Sequence, residues 1–446
     1  MTNLDAAYAY ALPRAPARGL SESAQRVLMA LIGLALLEML LLPNPLLTHY
    51  TGYAEPGGGN PLFKVHFYSY TLFLALLFVT ANVGGIRFLS TQTSERPGVV
   101  QFAVVVMFCA TVTIARQGIG GVAYMVDTLF AAPLAVMLIS YLDAERRQRL
   151  TAFLIWFVTF NAAVGVFERI LGIHLFHFGD LDGFAHFRAT AFMGHPLENA
   201  LITSSMMFLV LAMPWSARRK AFVLSVCMAG ILAFGARGGF AITLLMGTAA
   251  AVLLGARALL RGEMRLSTLV NAPLVGTLAL AAGAVLTFGT VLGERIVALA
   301  RFDESAQARV DAFKLFDYLS LNDVLYGVDF AEVNFILKLD KDVQIIENCW
   351  IAILLMLGAI LFVVFALSLL GFFRSISRGR GALIAFAVMN FVLVASTNNS
   401  LSTKSPSLAL FSIALIGIPL LVQRRRSPAA GAPLRYEPPM RDGVWS

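Results

Sequence analysis

Charge is scarce in this chain. Asp, Glu, Lys and Arg supply 13% of the 446 residues while 58% are hydrophobic, a balance that excludes a water-soluble globular protein of this size. Cysteine is nearly absent. The three present, Cys109, Cys227 and Cys349, are odd in number and unclustered, which argues against a disulfide framework or a metal site and leaves them as packing residues. No Gly-x-Ser-x-Gly, Walker or dinucleotide fingerprint stands in a credible context, so ATP-driven chemistry is not expected. No repeat with a period of 20 to 50 residues is visible. No cleavable signal peptide is expected either, because the first 23 residues are polar to mildly apolar and the first apolar run lacks a following small-residue cleavage site.

What the chain does have is a series of long apolar runs. A helix needs about 20 apolar residues to cross roughly 30 Å of hydrocarbon, and only helices or closed barrels satisfy their backbone there. Twelve runs of that kind fall near 24–42, 66–89, 98–115, 119–142, 150–173, 193–213, 220–236, 239–260, 268–292, 348–373, 380–397 and 404–422. The expected fold class is therefore all-α: a polytopic membrane protein with about twelve transmembrane helices.

Basic residues fix the expected orientation. With the N-terminus inside, Arg14, Arg18 and Arg26 lie in the cytoplasm, followed at every second loop by the clusters around Arg87, Arg146, Arg218, Arg257, Arg374 and Arg424. Together with the tail arginines Arg435 and Arg441, these clusters hold 22 of the 34 basic residues. Both termini are then cytoplasmic, and the net charge of +8 needs no nucleic-acid partner. The chain divides into a cytoplasmic N-terminal segment (1–23), nine spans (24–292), an outer loop (293–347), three spans (348–422) and a disordered cytoplasmic tail (423–446) rich in Pro, Ala, Arg and Gly. The outer loop is the only long hydrophilic stretch, and Phe313, Leu315, Phe316, Tyr318 and Leu319 give it one or two short amphipathic helices. All six histidines fall on or near the outer side.

The remaining basic residues are on that outer side, where positive charge is uncommon. Arg237 lies in Gly235-Ala236-Arg237-Gly238-Gly239, a turn of almost no length between the seventh and eighth spans. Its glycines allow close approach of backbone to a ligand at a helix start, and a guanidinium beside such a turn suits a diphosphate through paired hydrogen bonds. A snorkelling arginine or a structural ion pair would leave the same sequence trace. Arg188 precedes a loop running through Gly194, His195 and Pro196 into Glu198 and Asn199, with Pro196 suited to a first helical turn and Glu198 to the helix N-terminus. Arg309 sits near the front of the outer loop, two residues before Asp311. Glu347 and Asn348 open the tenth span, where the carboxylate serves either as an N-terminal helix charge or as a general base. Arg116 and Lys404 stand at outer helix ends, suited to lipid phosphate or to simple anchoring.

Metal binding is not expected. Asp180 with Asp182 and Asp340 with Asp342 form short acidic triplets of a kind that arises by chance, and His174, His177 and His186 have apolar neighbours (Leu175, Phe176, Phe178) that favour packing over zinc.

Taken in order, these stretches resemble the O-antigen polymerase and ligase superfamily of bacterial envelope synthesis (Wzy-, WaaL- and ExoQ-like proteins). The resemblance rests on Arg188 followed by Gly194-His195-Pro196 and Asn199-Ala200; on Ala236-Arg237-Gly238-Gly239; on Ser305 and Arg309 with a downstream turn at Tyr326-Gly327; and on Glu347-Asn348-Cys349-Trp350 with Gly358. It covers about residues 30 to 420. Two positions depart from the family pattern: Glu347 stands where a histidine is usual, and Leu197 where an asparagine is usual, leaving Glu198 or Asn199 as substitutes.

The resemblance implies a GT-C-like fold with a large periplasmic loop between helices nine and ten. It also implies an inverting, metal-independent and cofactor-free glycosyl transfer at the periplasmic face of the inner membrane. The donor would be an undecaprenyl-diphosphate-linked glycan, and the acceptor either a second lipid-linked repeat (polymerase, favoured) or lipid A core (ligase). A chain-length regulator is a further partner consistent with the family. In this reading Arg188, Arg237 and Arg309 grip the diphosphate, Arg237 and Arg309 stabilise the departing charge, and Glu347 accepts the acceptor proton. His195, Glu198, Asn199, Asn348, Arg116 and Lys404 are secondary candidates for substrate contact. A lipid-linked oligosaccharide flippase would also need cavity arginines, but distributed through the depth of the bundle with a two-half repeat. A non-catalytic subunit of a polysaccharide assembly complex is a third option.

Overall fold

A computed structural model describes residues 19–55, 60–118, 122–175, 187–262, 312–329, 333 and 346–420. Its regular elements are helices, with no strand among the described residues. Besides two short 3-10 helices, Pro61–Lys64 and Ala312–Tyr318, they are in chain order α1 (Glu22–Leu41), α2 (Asn44–Thr51), α3 (Phe67–Val83), α4 (Gly85–Glu95), α5 (Pro97–Gln117), a π-helical turn (Met125–Phe130) running into α6 (Ala131–Ile139), α7 (Ala144–Leu171), α8 (Pro196–Ala212), α9 (Ala217–Ala233), α10 (Arg237–Leu260), α11 (Leu321–Tyr326), α12 (Cys349–Ser377), α13 (Ala382–Ala395) and α14 (Ser407–Ile416). Helix starts follow local chemistry: Ser21, Asp143 and Ser216 cap α1, α7 and α9 by accepting from the third amide on, and Pro97 and Pro196 open α5 and α8.

Five helices, α1, α5, α7, α10 and α12, are long and apolar enough to cross a membrane, and a sixth span results if α3 and α4 are counted together. Shorter apolar helices occupy four other runs. The ninth run (268–292), most of the outer loop, residues 1–18 and the tail from 421 onward lie outside the described residues.

The expected span at 66–89 is not one straight helix. It breaks at Gly84, whose φ of +91° ends α3, and α4 leaves at 103°. Polarity accounts for the turn, since beyond Gly84 the sequence loses its apolar continuity and α4 buries only Phe88 and Gln92. Phe88 stacks on Tyr141, and Gln92 donates to Ser140 Oγ at 2.9 Å. A second break lies inside α12 at Gly358 (φ +77°). There α11 and its following turn press against the helix so closely that a Cβ on Gly358 would stand 2.3 Å from the Tyr326 carbonyl carbon.

Hydrogen bonds between helix termini sort the bundle into two ends. At one, Arg146 pairs with Glu22 and Asp143 and donates to Gln25 at 3.0 Å, joining the starts of α1 and α7. Nearby, Thr151 donates to Ala414 O at 2.9 Å, and Arg380 gathers the carbonyls of Ile376, Ile416 and Ile418 at 2.7, 3.1 and 3.2 Å. The opposite end therefore holds the end of α1, the start of α3, the ends of α5, α7, α9 and α13, and the starts of α8, α10, α12 and α14. Apolar packing fills the space between. Met, Leu, Ile and Phe from α1, α3, α5 to α9 and α12 to α14 form one continuous core, with Cys109, Cys227 and Cys349 buried in it.

Candidate functional site

The described candidates assemble at the end opposite Arg146 and Arg380. The segment 187–195, which carries Arg188, runs in irregular backbone into α8, and buried polar groups satisfy that backbone, as an apolar interior requires. Glu168, fully buried in the last turn of α7, accepts from the amides of Leu175, Thr190 and Ala191 at 2.9, 2.8 and 2.9 Å. Asn161, two turns earlier, accepts from Phe192 N at 2.9 Å and donates to Asn199 Oδ1 at 2.7 Å, while Asn199 Nδ2 donates to Thr190 O at 2.6 Å. Ala191 is held at φ +42°, a rare conformation for a residue with a side chain. Gly194 at φ +70° has no room for one, because a Cβ would stand 2.9 Å from Pro43.

The turn bearing Arg237 meets this segment directly. Ala189 N donates to Ala233 O at 3.3 Å, and Ala189, Ala191, Ala200, Leu232, Ala233, Phe234 and Ala236 share one small apolar cluster. Arg237 is the first residue of α10 and, like Arg188, is half-buried. Its neighbour Gly238 abuts Thr397, to whose hydroxyl oxygen a Cβ would come within 3.1 Å, and Gly239 faces Val394 and Ala200.

The turn after α13 also receives the start of α12. Cys349 N donates to Asn398 O at 3.1 Å and Trp350 Nε1 to Ser396 Oγ at 2.7 Å. One short turn, 396–398, thus touches the first residues of α10 on one side and of α12 on the other. Half-buried Glu347 immediately precedes the Asn348 cap of α12.

A second polar cluster lies beside it, built on the π-helical turn. Buried Asp127 accepts from Tyr53 Oη at 2.7 Å, Ser69 Oγ at 2.6 Å and His66 N at 3.1 Å, and its own carbonyl accepts from Tyr68 Oη at 2.7 Å. Thr128 donates to Thr403 O at 2.6 Å and accepts from Ser405 N at 2.8 Å. Glu198, 6% exposed in the first turn of α8, lies beside Ser405 of this cluster.

Several expected contact residues have structural tasks. Asn348 accepts from Trp350 N and Ile351 N at 2.9 and 3.3 Å, the ordinary work of an N-cap. Arg116 donates to the carbonyls of Tyr326 and Gly327, and Gln117 to Val328 O at 2.8 Å, so the end of α5 clamps the outer segment. Lys404 donates to Tyr53 O and Lys64 O and stands 3.9 Å from the centre of the Tyr53 ring. Anchoring is what the structure displays for Arg116 and Lys404. Asn199 is consumed by the Asn161 and Thr190 bonds, whereas His195 is exposed at the N-cap of α8. His174 stacks on Phe187 at 4.3 Å. Arg309, Ser305, Asp180, Asp182, His177, His186, Asp340 and Asp342 lie outside the described residues.

Sequence reading missed Glu168, Asn161 and Asp127. Asp127 and Glu168 left a signal, each being a carboxylate inside an expected span, which marks a functional or structural polar centre. No protein-family model matches the chain, and no curated protein matches it.

Proposed function

We propose that this protein polymerises undecaprenyl-diphosphate-linked oligosaccharide units at the periplasmic face of a bacterial inner membrane. In this proposal the chain crosses the bilayer twelve times with both termini cytoplasmic, and residues 293–347 form a periplasmic loop over the sugars. One observation carries the reading: the backbone stretches bearing Arg188, Arg237 and Glu347 come from distant parts of the sequence yet pack through one cluster and one turn, at one end of the bundle. A flippase would spread its cations through the depth instead.

Arg188 and Arg237, joined by Arg309, bind the diphosphate as planar, permanently charged forks. The acceptor hydroxyl oxygen attacks the donor sugar C1 from the face opposite the leaving group, the C1–O bond breaks, and undecaprenyl diphosphate departs with the electron pair. Glu347 takes the acceptor proton. Guanidinium charge is most effective in this mechanism where negative charge grows on the leaving oxygen.

Incubation of purified protein with a synthetic polyprenyl-diphosphate oligosaccharide, followed by mass analysis, tests the proposal. A ladder of products is expected. Single transfer to added lipid A core would make the protein a ligase instead. Unaltered substrate, moved across vesicles or not, would overturn the enzymatic reading.

A further inference from the structure

The groups that hold the Arg188 segment are more telling than the segment itself. Between α7 and α8 the chain leaves at Leu175 and returns at Phe187, and the two ends are fastened together at their base. Glu168 is the centre of that fastening: one oxygen takes Leu175 N on the outgoing strand of chain, and the other takes Thr190 N and Ala191 N on the returning one. Arg169 reinforces it by donating to Phe187 O at 2.7 Å, and Thr190 Oγ1 lies 3.3 Å from His174 Nδ1. The side chain is 0% exposed, and a carboxylate is not buried at a helix end without compensation. Here compensation comes from backbone amides that a loop must otherwise leave to water. Arg188 lies two residues before Thr190 and four before Phe192, whose amide is fixed by Asn161, so the backbone is pinned on both sides of Ala191 at its φ of +42°.

We propose that Glu168 is a positioning residue for Arg188, setting where its guanidinium meets the donor diphosphate. This rests on the diphosphate-binding reading above. The carboxylate does not touch substrate; it fixes the backbone from which the guanidinium projects. Its charge matters as much as its shape, because a carboxylate offers acceptors to all three amides, whereas the amide of Glu168→Gln offers one oxygen and turns an N–H group toward the remaining backbone donor. With its oxygen on Thr190 and Ala191, that variant releases Leu175. The reverse flip releases the other two.

Two measurements test this. The first is hydrogen exchange of the native, Glu168→Gln and Arg188→Ala proteins in nanodiscs, which needs no ligand. In Glu168→Gln, amides within 173–175 or 189–192 should exchange roughly tenfold faster or more while the α7 core stays protected, and Arg188→Ala should leave them unchanged. Unchanged exchange in Glu168→Gln would overturn the proposal whether or not the protein binds diphosphate.

The second is a double-mutant cycle on affinity for undecaprenyl diphosphate. Glu168→Gln and Arg188→Ala should each weaken binding roughly tenfold or more, with the double variant no weaker than Arg188→Ala alone, and Glu168→Asp, which keeps the charge, should recover part of the loss. Additive losses would show that Glu168 does not act through Arg188. A native protein that binds undecaprenyl diphosphate no better than undecaprenol would sink the functional reading and, with it, the role assigned to Arg188, leaving the exchange result to report the loop fastening by itself.

Discussion

The two ends of this helix bundle solve the burial of charge in opposite ways. At the end holding Arg146 and Arg380, cations are embedded among carboxylates and helix-terminal carbonyls: Arg380 is 9% exposed and reaches three of them. At the other end anions are embedded, and backbone amides and hydroxyls satisfy them: Glu168 and Asp127 are both 0% exposed. Helix C-termini present orphan carbonyls and suit the first arrangement, while irregular chain presents orphan amides and suits the second. The difference teaches where the chain is ordered by its helices and where it is ordered by single side chains. Only the second kind of region can hold non-helical backbone at depth, which is where a ligand site needs it.

The largest effect should separate the ends by activity. Arg237→Ala, and Arg237→Lys because an ammonium cannot reproduce the fork, should lower polymer formation by about 100-fold or more with an unchanged melting temperature. Normal ladders from both variants would dissolve the contrast. Next, the ends should be equally fragile: Asp127→Ala strands the Tyr53 and Ser69 hydroxyls, and Arg380→Ala strands three carbonyls, so each should cost about 2–4 kcal/mol in detergent unfolding. A much smaller loss at Asp127 would show that its cluster is wet. Asn348→Ala removes a cap with two amide bonds and should cost about 1 kcal/mol, again by unfolding.

The smallest effect concerns Asp323, whose carboxyl is held below its usual range by hydrogen bonds from the Ser320 side chain and amide. A depressed folded value means the stabilisation is present above the ordinary carboxylate pKa and is lost as pH falls through the folded one. Protection of Leu321–Tyr326 against hydrogen exchange should fall on that acid side in the native chain and lose its pH dependence in Asp323→Ala.

Much of the helical frame was legible because hydrocarbon thickness dictates run length, and α1, α5, α7, α10 and α12 match runs read directly from composition. The breaks at Gly84 and Gly358 were not, since a glycine inside an apolar run is compatible with an unbroken helix until something presses against it. At Gly358 the pressing group is Tyr326, thirty-two residues earlier, which no local pattern announces. Among the candidates, residue type revealed where Arg188, Arg237 and Glu347 stand but not what holds them. What Glu168 does was not legible because its partners are amides, which every residue except proline carries and which leave no trace in a sequence. Asn348 illustrates the converse: taken from the sequence as a candidate for substrate contact, it caps α12 in the structure.

The meeting of Gly327 and Gly358 makes the outer piece of α12 a separate strut. Residues 349–357, about 13 Å of helix, stand on a footing that α12 does not supply by itself: Val328 N bonds Leu355 O at 2.7 Å, and Arg116 grips the same turn from α5. Glu347 sits at the tip of that strut, so its height and tilt are set by a keystone of two bare backbones. A methyl group on either glycine would act as a wedge, displacing the tip with every amino acid of the tip itself unchanged.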